Sequence, residues 1–249
     1  MEFGELLELQ GYAWHRAAVA DAELNKLKEN LDALVSDHKC AAAIGNNSQI
    51  VGARNLLDYW PDCRSVARSL LRSIPGEISA DHLLLVRVLY FDKPPGRSWA
   101  LPLHRDETVA VDEHPQASQI PLGFSRPTVK AGICHLVAPV HVLDQMYTLR
   151  LHLDDMCDTN GPLYVVPGSH ADVENQSCSS YANVTDLNRS VEVLRADAGD
   201  VLIMRPRLLH GSLESEEDNK QNRRILHFEF APHDALPQPL RWRWADAVK

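Results

Sequence analysis

Residues 146–170 read MYTLRLHLDDMCDTNGPLYVVPGSH, and the alternation in this stretch sets the architecture. Leu149, Leu151 and Leu153 recur at every second position and share one face of a strand, leaving Thr148, Arg150 and His152 on the other. Asn160-Gly161 reads as a turn, LYVV as a second short strand, and Pro167-Gly168 as another turn. Strand, turn and strand follow one another with no helical period between them.

The same texture extends in both directions. From Asp81 onward the chain reads as short strands parted by Pro, Gly, Asn and Asp: HLLLVRVLYF, TVAV, VKAGICHLV, then SVEVLRA, DVLIMR and RRILHFEF after the opening stretch. Such a series predicts a sandwich, jelly roll or barrel rather than a βαβ sheet. The first third differs. Asp21 precedes AELNKLKENLDALV as a candidate N-cap, and Leu24, Leu27, Leu31 and Leu34 are spaced by three and four, as on an amphipathic helix. After Pro61, Cys63, Val66, Ala67, Leu70, Leu71 and Ile74 form a second stripe that stops at Pro75-Gly76. The expectation is one mainly β domain over 1–249, with a helical cover over 1–80, a β core over 81–232 and a C-terminal tail over 233–249.

Composition narrows the function. With 45% hydrophobic and 24% charged residues in 249, there is apolar mass for a real core. The formal net charge of -9 argues against nucleic acid as the main partner. No stretch is long and apolar enough for a bilayer, and the N-terminus lacks the pattern of a secretion signal. Five scattered cysteines without a C-x-x-C pair read as reduced thiols of a cytoplasmic protein. The N-x-S/T sequons at Asn46, Asn183 and Asn188 read as chance occurrences.

The chemistry centres on LHRDETVAV. On a strand, His104 and Asp106 point to one side while Arg105 faces away, offering an imidazole nitrogen and a carboxylate to one point. That is two-thirds of a facial triad for non-haem Fe(II), which needs a second histidine from elsewhere. GDVLIMRPRLLHGS supplies His210 after a strand broken at Pro206. In RRILHFEF, alternation groups Leu226, Phe228 and Phe230 on one face and Arg223, Ile225, His227 and Glu229 on the other. If the apolar face packs outward, Arg223 points into the cavity, where a guanidinium can clamp a carboxylate at two points. Arg224 takes that place if the facing is reversed.

Taken together, these motifs resemble the phytanoyl-CoA dioxygenase-like family of Fe(II)- and 2-oxoglutarate-dependent oxygenases, built on a double-stranded β-helix. The resemblance runs from GYAWHRAAVADAELNKLKENLDAL through LHRDETVAV, LDDMCDTNGPLYVVPGSH and GDVLIMRPRLLHGS to RRILHFEFA. It implies that His104, Asp106 and His210 are the iron ligands and that Arg223 receives the distal carboxylate of 2-oxoglutarate. Thr108 and Ser212 become candidates for further cosubstrate hydrogen bonds. 2-Oxoglutarate would take two iron positions, leaving one for O₂, and ascorbate would aid turnover in vitro. Because Asp106 keeps its carboxylate, hydroxylation or a related oxidation of a small molecule is expected rather than halogenation.

For the substrate the candidates are Arg150 first, then His152, Lys130 and His135. Lys93, Arg97 and Lys130 are candidates for a basic pocket, with solvated surface charge as the simpler fate of each. The PGSH segment is expected to fix the barrel wall near the mouth, Ser169 not being a nucleophile because the G-x-S-x-G elbow is absent. Two other classes remain open: a catalytically silent β-barrel that binds a small molecule or a protein, and a cupin-like hydrolase or isomerase with another divalent metal. The amphipathic RWRWADAVK end fits either the chain's own helical cover or another subunit, and the oligomeric state is undetermined.

Overall fold

The computed structural model describes residues 1–36, 43–44, 51–76, 78, 80–96, 99–172 and 189–247. The sequons Asn46, Asn183 and Asn188, the thiols Cys40 and Cys178, and the pocket candidate Arg97 lie outside the described residues.

The strands in chain order are β1 (Tyr12–His15), β2 (Ala43–Ile44), β3 (Gly52–Ala53), β4 (Leu83–Lys93) and β5 (Leu101–His104). Next come β6 (Thr108–Val111), β7 (Ser125–Lys130), β8 (Ile133–Val137), β9 (Tyr147–His152) and β10 (Leu163–Val165). The last are β11 (Glu192–Val193), β12 (Val201–Met204), β13 (His210–Ser212), β14 (Arg223–Pro232) and β15 (Asp246–Ala247). Among the described residues the major sheet runs β1-β12-β9-β14-β4-β3-β2, with β15 on β4. A second sheet runs β11-β10-β13-β5 and a third β6-β8-β7. Strands distant in sequence thus lie side by side, as in a jelly roll.

Alternation decides what each face of the major sheet does. Leu149 and Leu151 on β9 and Leu226, Phe228 and Phe230 on β14 turn outward into one apolar cluster with the N-terminal helices. Leu24, Leu27 and Leu31 of the helix Asp21–Ser36 join it, as do Val66, Ala67 and Leu70 of Cys63–Ser73. Full burial of each such leucine or phenylalanine contributes about 1.5–3 kcal/mol. That contribution orients the sheet and leaves the opposite face of β4, β9 and β14 to carry polar side chains inward.

Several details depart from the sequence reading. VKAGICHLV is a hairpin rather than one strand, because Ala131 and Gly132 both adopt positive φ, 50° and 80°, and reverse the chain between β7 and β8. SVEVLRA forms a strand only over Glu192–Val193, with a single further bridge from Ala196 to Met156. Asp21 is the first residue of its helix rather than its cap. The N-terminal region also donates strands, since β1 pairs with β12 from Tyr12↔Met204 to His15↔Val201. The tail is part of the chain's own core: β15 pairs with β4, Trp244 joins the apolar cluster under the helices, and its Nε1 donates to Asp58 at 2.7 Å. No helix among the described residues is long and apolar enough to cross a membrane.

Candidate metal centre and its cavity

β5 and β13 are antiparallel neighbours with His104 directly opposite His210. The two rings approach to 4.3 Å between centroids. Asp106 reaches the same point by another route than strand alternation. β5 ends at His104, and Asp106 lies in the short link to β6, where its N–H donates to Pro206 O at 2.9 Å. The bond ties this link to the chain just before His210. Arg105 faces away, as alternation predicts, and donates to Ser169 O at 2.7 Å, to Arg207 O and to Asp172.

One ligand atom from each of His104, Asp106 and His210 can be chosen so that all lie within 4.8 Å of one another. Nδ1 of His104 lies 2.9 Å from Pro102 O, and Nδ1 of His210 lies 2.8 Å from Leu208 O. A carbonyl only accepts, so each Nδ1 carries its proton and each Nε2 is left with a free lone pair. His210 Nε2 lies 3.7 Å from Asp106 Oδ2. Burial, helped by His104, pushes the His210 imidazole down to about 3, so it is neutral at physiological pH. Burial alone would raise the Asp106 carboxyl, but His210, His227, His104 and Arg87 outweigh it and hold the carboxyl well below its usual range. Two imidazoles that each turn Nε2 inward, together with one carboxylate, suit a divalent metal of the Fe(II) type.

These groups open into a cavity of about 630 Å³ under the inner face of the major sheet. Arg223 lines it and is 4% exposed, and its Nε and Nη1 have no hydrogen-bond partner. A buried guanidinium with idle donors is costly unless an anion completes it, so this end of the cavity fits a carboxylate. Arg224 points the other way and is held by Asp154 at 2.8 Å and 3.0 Å and by Asp32. The facing of β14 therefore leaves Arg223 as the inward guanidinium.

Ser212 and Thr108 line the same cavity, each already bound to a lysine. Lys93 Nζ donates to Ser212 Oγ at 3.0 Å, to Trp99 O at 2.8 Å and to Leu213 O at 2.6 Å. Lys130 Nζ donates to Thr108 Oγ1 at 2.9 Å. Arg150 and Lys130 line the cavity, but His152 and His135 do not. His152 is fully buried, with its ring 5.6 Å from that of Trp14, and His135 folds back on Ile133 O at 3.0 Å. Lys93 is not a solvated charge: it is 1% exposed. The sequence reading ended its strand at Phe91, two residues short. The same alternation carried on would have set Arg87, Leu89, Phe91 and Lys93 on one inward face.

The distinctive NGPLYVVPGSH block is a clamp around this centre. Ser169 Oγ accepts the Leu209 N–H at 2.8 Å, and the Val166 N–H donates to Leu209 O at 2.9 Å, fixing the residue before His210. Gly161 has φ +74°, and a Cβ there would meet Leu213 O at 2.8 Å and Lys93 at 3.1 Å. The backbone must therefore pass bare over the lysine that holds Ser212.

The family model for phytanoyl-CoA dioxygenase (PhyH) matches residues 7–223. AviO1 from Streptomyces viridochromogenes Tue57 is similar in structure, with a TM-score of 0.62 and 21% identity over 94% of this chain and 96% of that one. HygX from Streptomyces hygroscopicus, with nickel and 2-oxoglutarate bound, matches with a TM-score of 0.64 and 14% identity over 93% and 86%. The epimerase SnoN, in complex with Fe3+, alpha ketoglutarate and nogalamycin RO, gives 0.62 and 14% over 93% and 82%. At such identities the likeness establishes the shared fold. No curated protein matches the chain.

Proposed function

The chain belongs to the phytanoyl-CoA dioxygenase family, and from that premise we propose a 2-oxoglutarate-dependent non-haem iron oxygenase that hydroxylates a small molecule. In this reading His104, Asp106 and His210 hold Fe(II), and Arg223 receives the distal carboxylate of 2-oxoglutarate. The observation that carries it is the convergence of two tautomer-fixed imidazoles and a carboxylate within 4.8 Å, in one cavity with a buried, unpartnered guanidinium. HygX and SnoN, which share the fold, bind 2-oxoglutarate with nickel and with Fe3+ respectively.

Iron(II) with 2-oxoglutarate and O₂ supplies oxidative decarboxylation to succinate and CO₂, coupled to oxidation of a substrate C–H bond. The protein's share is positioning and exclusion. The carbonyls of Pro102 and Leu208 hold the two Nδ1 protons, so His104 and His210 present Nε2 in fixed orientations. Lys93 holds Ser212 in the cavity wall, and Arg150, 7% exposed with an idle Nε, adds positive charge beside Arg223. The reading includes a cytoplasmic location, supported by the free thiols of Cys63, Cys134 and Cys157.

The test is succinate formation from 2-oxoglutarate under air, with Fe(II) and ascorbate, compared between wild type and Asp106→Ala. Succinate above the variant's level supports the oxygenase. Equal background in both, with Fe(II) bound to the wild type, points to a silent binding module.

A further inference from the structure

The cavity is far more cationic than this acidic chain would lead one to expect. Among the described residues six cationic side chains line it, Arg54, Arg87, Lys93, Lys130, Arg150 and Arg223, against one lining carboxylate, Asp106. They form two groups along the β4–β14 pair. Lys93 stands opposite Arg223 at one end, and Arg87 opposite Glu229 further along. Arg87 and Lys93 are six residue steps apart on the strand, about 20 Å between backbones. A carboxylate clamped by Arg223 lies at the Lys93 end of the pair and leaves the idle donor of Arg87 unmet.

The second group has its own unmet demand. Arg87 is 6% exposed and bonds Glu229 through Nε at 2.9 Å and through Nη2, leaving Nη1 buried without a partner. Glu229 is shared, since His227 Nε2 lies 3.3 Å from the same oxygen. Lys130 spends one donor on Thr108. After burial, the neighbours that most lower the Lys130 ammonium are Arg87 and Arg54, and Arg87 is likewise the main charged neighbour lowering Arg54. The three cations are close enough to repel one another, and an anion placed among them relieves that repulsion.

We propose that Arg54, Arg87 and Lys130 form the recognition site for an oxyanion, a carboxylate or a phosphate, carried by the organic substrate. The substrate's apolar body lies along Leu89 and Phe91, which line the same cavity from β4. The inference rests on the oxygenase reading for the position of 2-oxoglutarate, and it adds the chemical class of the molecule to be oxidised: an acid with an apolar body.

Calorimetry on the full chain, loaded with Mn(II) and saturated with 2-oxoglutarate under argon, tests this without turnover. The probes are benzoate, phenyl phosphate and the neutral benzamide. Arg87 is left intact, because removing it would strand buried Glu229. Benzoate or phenyl phosphate is expected to bind wild type roughly ten- to a hundredfold more tightly than Arg54→Gln/Lys130→Met, as loss of charge-assisted hydrogen bonds implies. Benzamide should not distinguish the two proteins, and the tighter of the two acids identifies the headgroup. Thermal melting of the double variant checks that it is folded; if it is not, Lys130→Gln alone replaces it. Two acids that bind no better than benzamide, or equally well to wild type and a folded variant, overturn the inference.

Arg223→Leu separates the two readings. It should abolish 2-oxoglutarate binding while the probe still binds. A wild-type protein that takes neither Mn(II) nor 2-oxoglutarate but binds the probe through Lys130 overturns the oxygenase reading and leaves the anion site standing.

Discussion

His104 and His210 are opposed residues on neighbouring antiparallel strands, with ring planes tilted by 49° and each Nδ1 tied to a carbonyl two residues back in the chain. The ladder that pairs the strands also places the two Nε2 atoms. If the two rings hold a metal, a change in either should lower its affinity.

His210→Ala is expected to weaken Fe(II) binding by more than the 10–100-fold that changes outside the ligand set typically cost. Competition with a calibrated chelator under argon measures it. Affinity equal to that of wild type would remove His210 from the ligand set.

Arg223 and Arg224 are adjacent but face opposite ways, so their substitutions should separate cleanly. Arg223→Leu should raise the KM for 2-oxoglutarate roughly ten- to a hundredfold by loss of a charge-assisted clamp. Arg224→Ala breaks the bonds to Asp154 and should cost about 1–3 kcal/mol of stability, with KM unchanged. Steady-state kinetics and urea unfolding of both variants give the comparison, and the reverse pattern would exchange the two roles.

Gly211 lies between His210 and Ser212, where β13 is pinched between two neighbours. A Cβ there would meet Tyr164 Oη at 2.4 Å and Leu101 O at 2.6 Å. The second of these is backbone and cannot swing aside. Gly211→Ala should push β13 off β5, lower metal affinity about 10–100-fold and reduce the melting temperature, as shown by chelator competition and calorimetry. Unchanged values for both would mean that the pinch is relieved elsewhere.

His135 gives the fold an acid-sensitive point away from the metal. Burial, aided by Arg87, pushes its imidazole down to about 4. The unfolded chain takes up this proton near pH 6.5, whereas the folded protein refuses it until about 4. Stability from this group is thus complete above about pH 6.5 and is lost as pH falls toward 4. Chemical denaturation between pH 4 and 7.5 should show a shallower acid slope for His135→Gln than for wild type; parallel slopes would place the acid sensitivity in another group.

The major sheet was legible because burial imposes alternation. Leu149, Leu151, Leu226, Phe228 and Phe230 announced an outward apolar face, and with it the inward aim of Arg223. The hairpin inside VKAGICHLV was not legible, since it turns on a positive φ at Ala131 that alanine seldom adopts. Asp106 approaches His104 and His210, but not by strand alternation: what aims it is its N–H bond to Pro206 O, a contact between segments far apart in the chain.

By itself, then, the sequence determined which residue types are present, which faces are apolar, and in what order His104, Asp106, His210 and Arg223 follow one another. Local patterns can do this because side-chain direction on a strand depends only on position parity. Tertiary structure alone decided that Lys93 is buried against Ser212, that His135 and His152 stay out of the cavity, and that Arg54, Arg87 and Lys130 gather in its wall. Those facts depend on strand order and register between distant segments, and the electrostatic cost of crowding cations arises only once the folded sheet has removed water from around them.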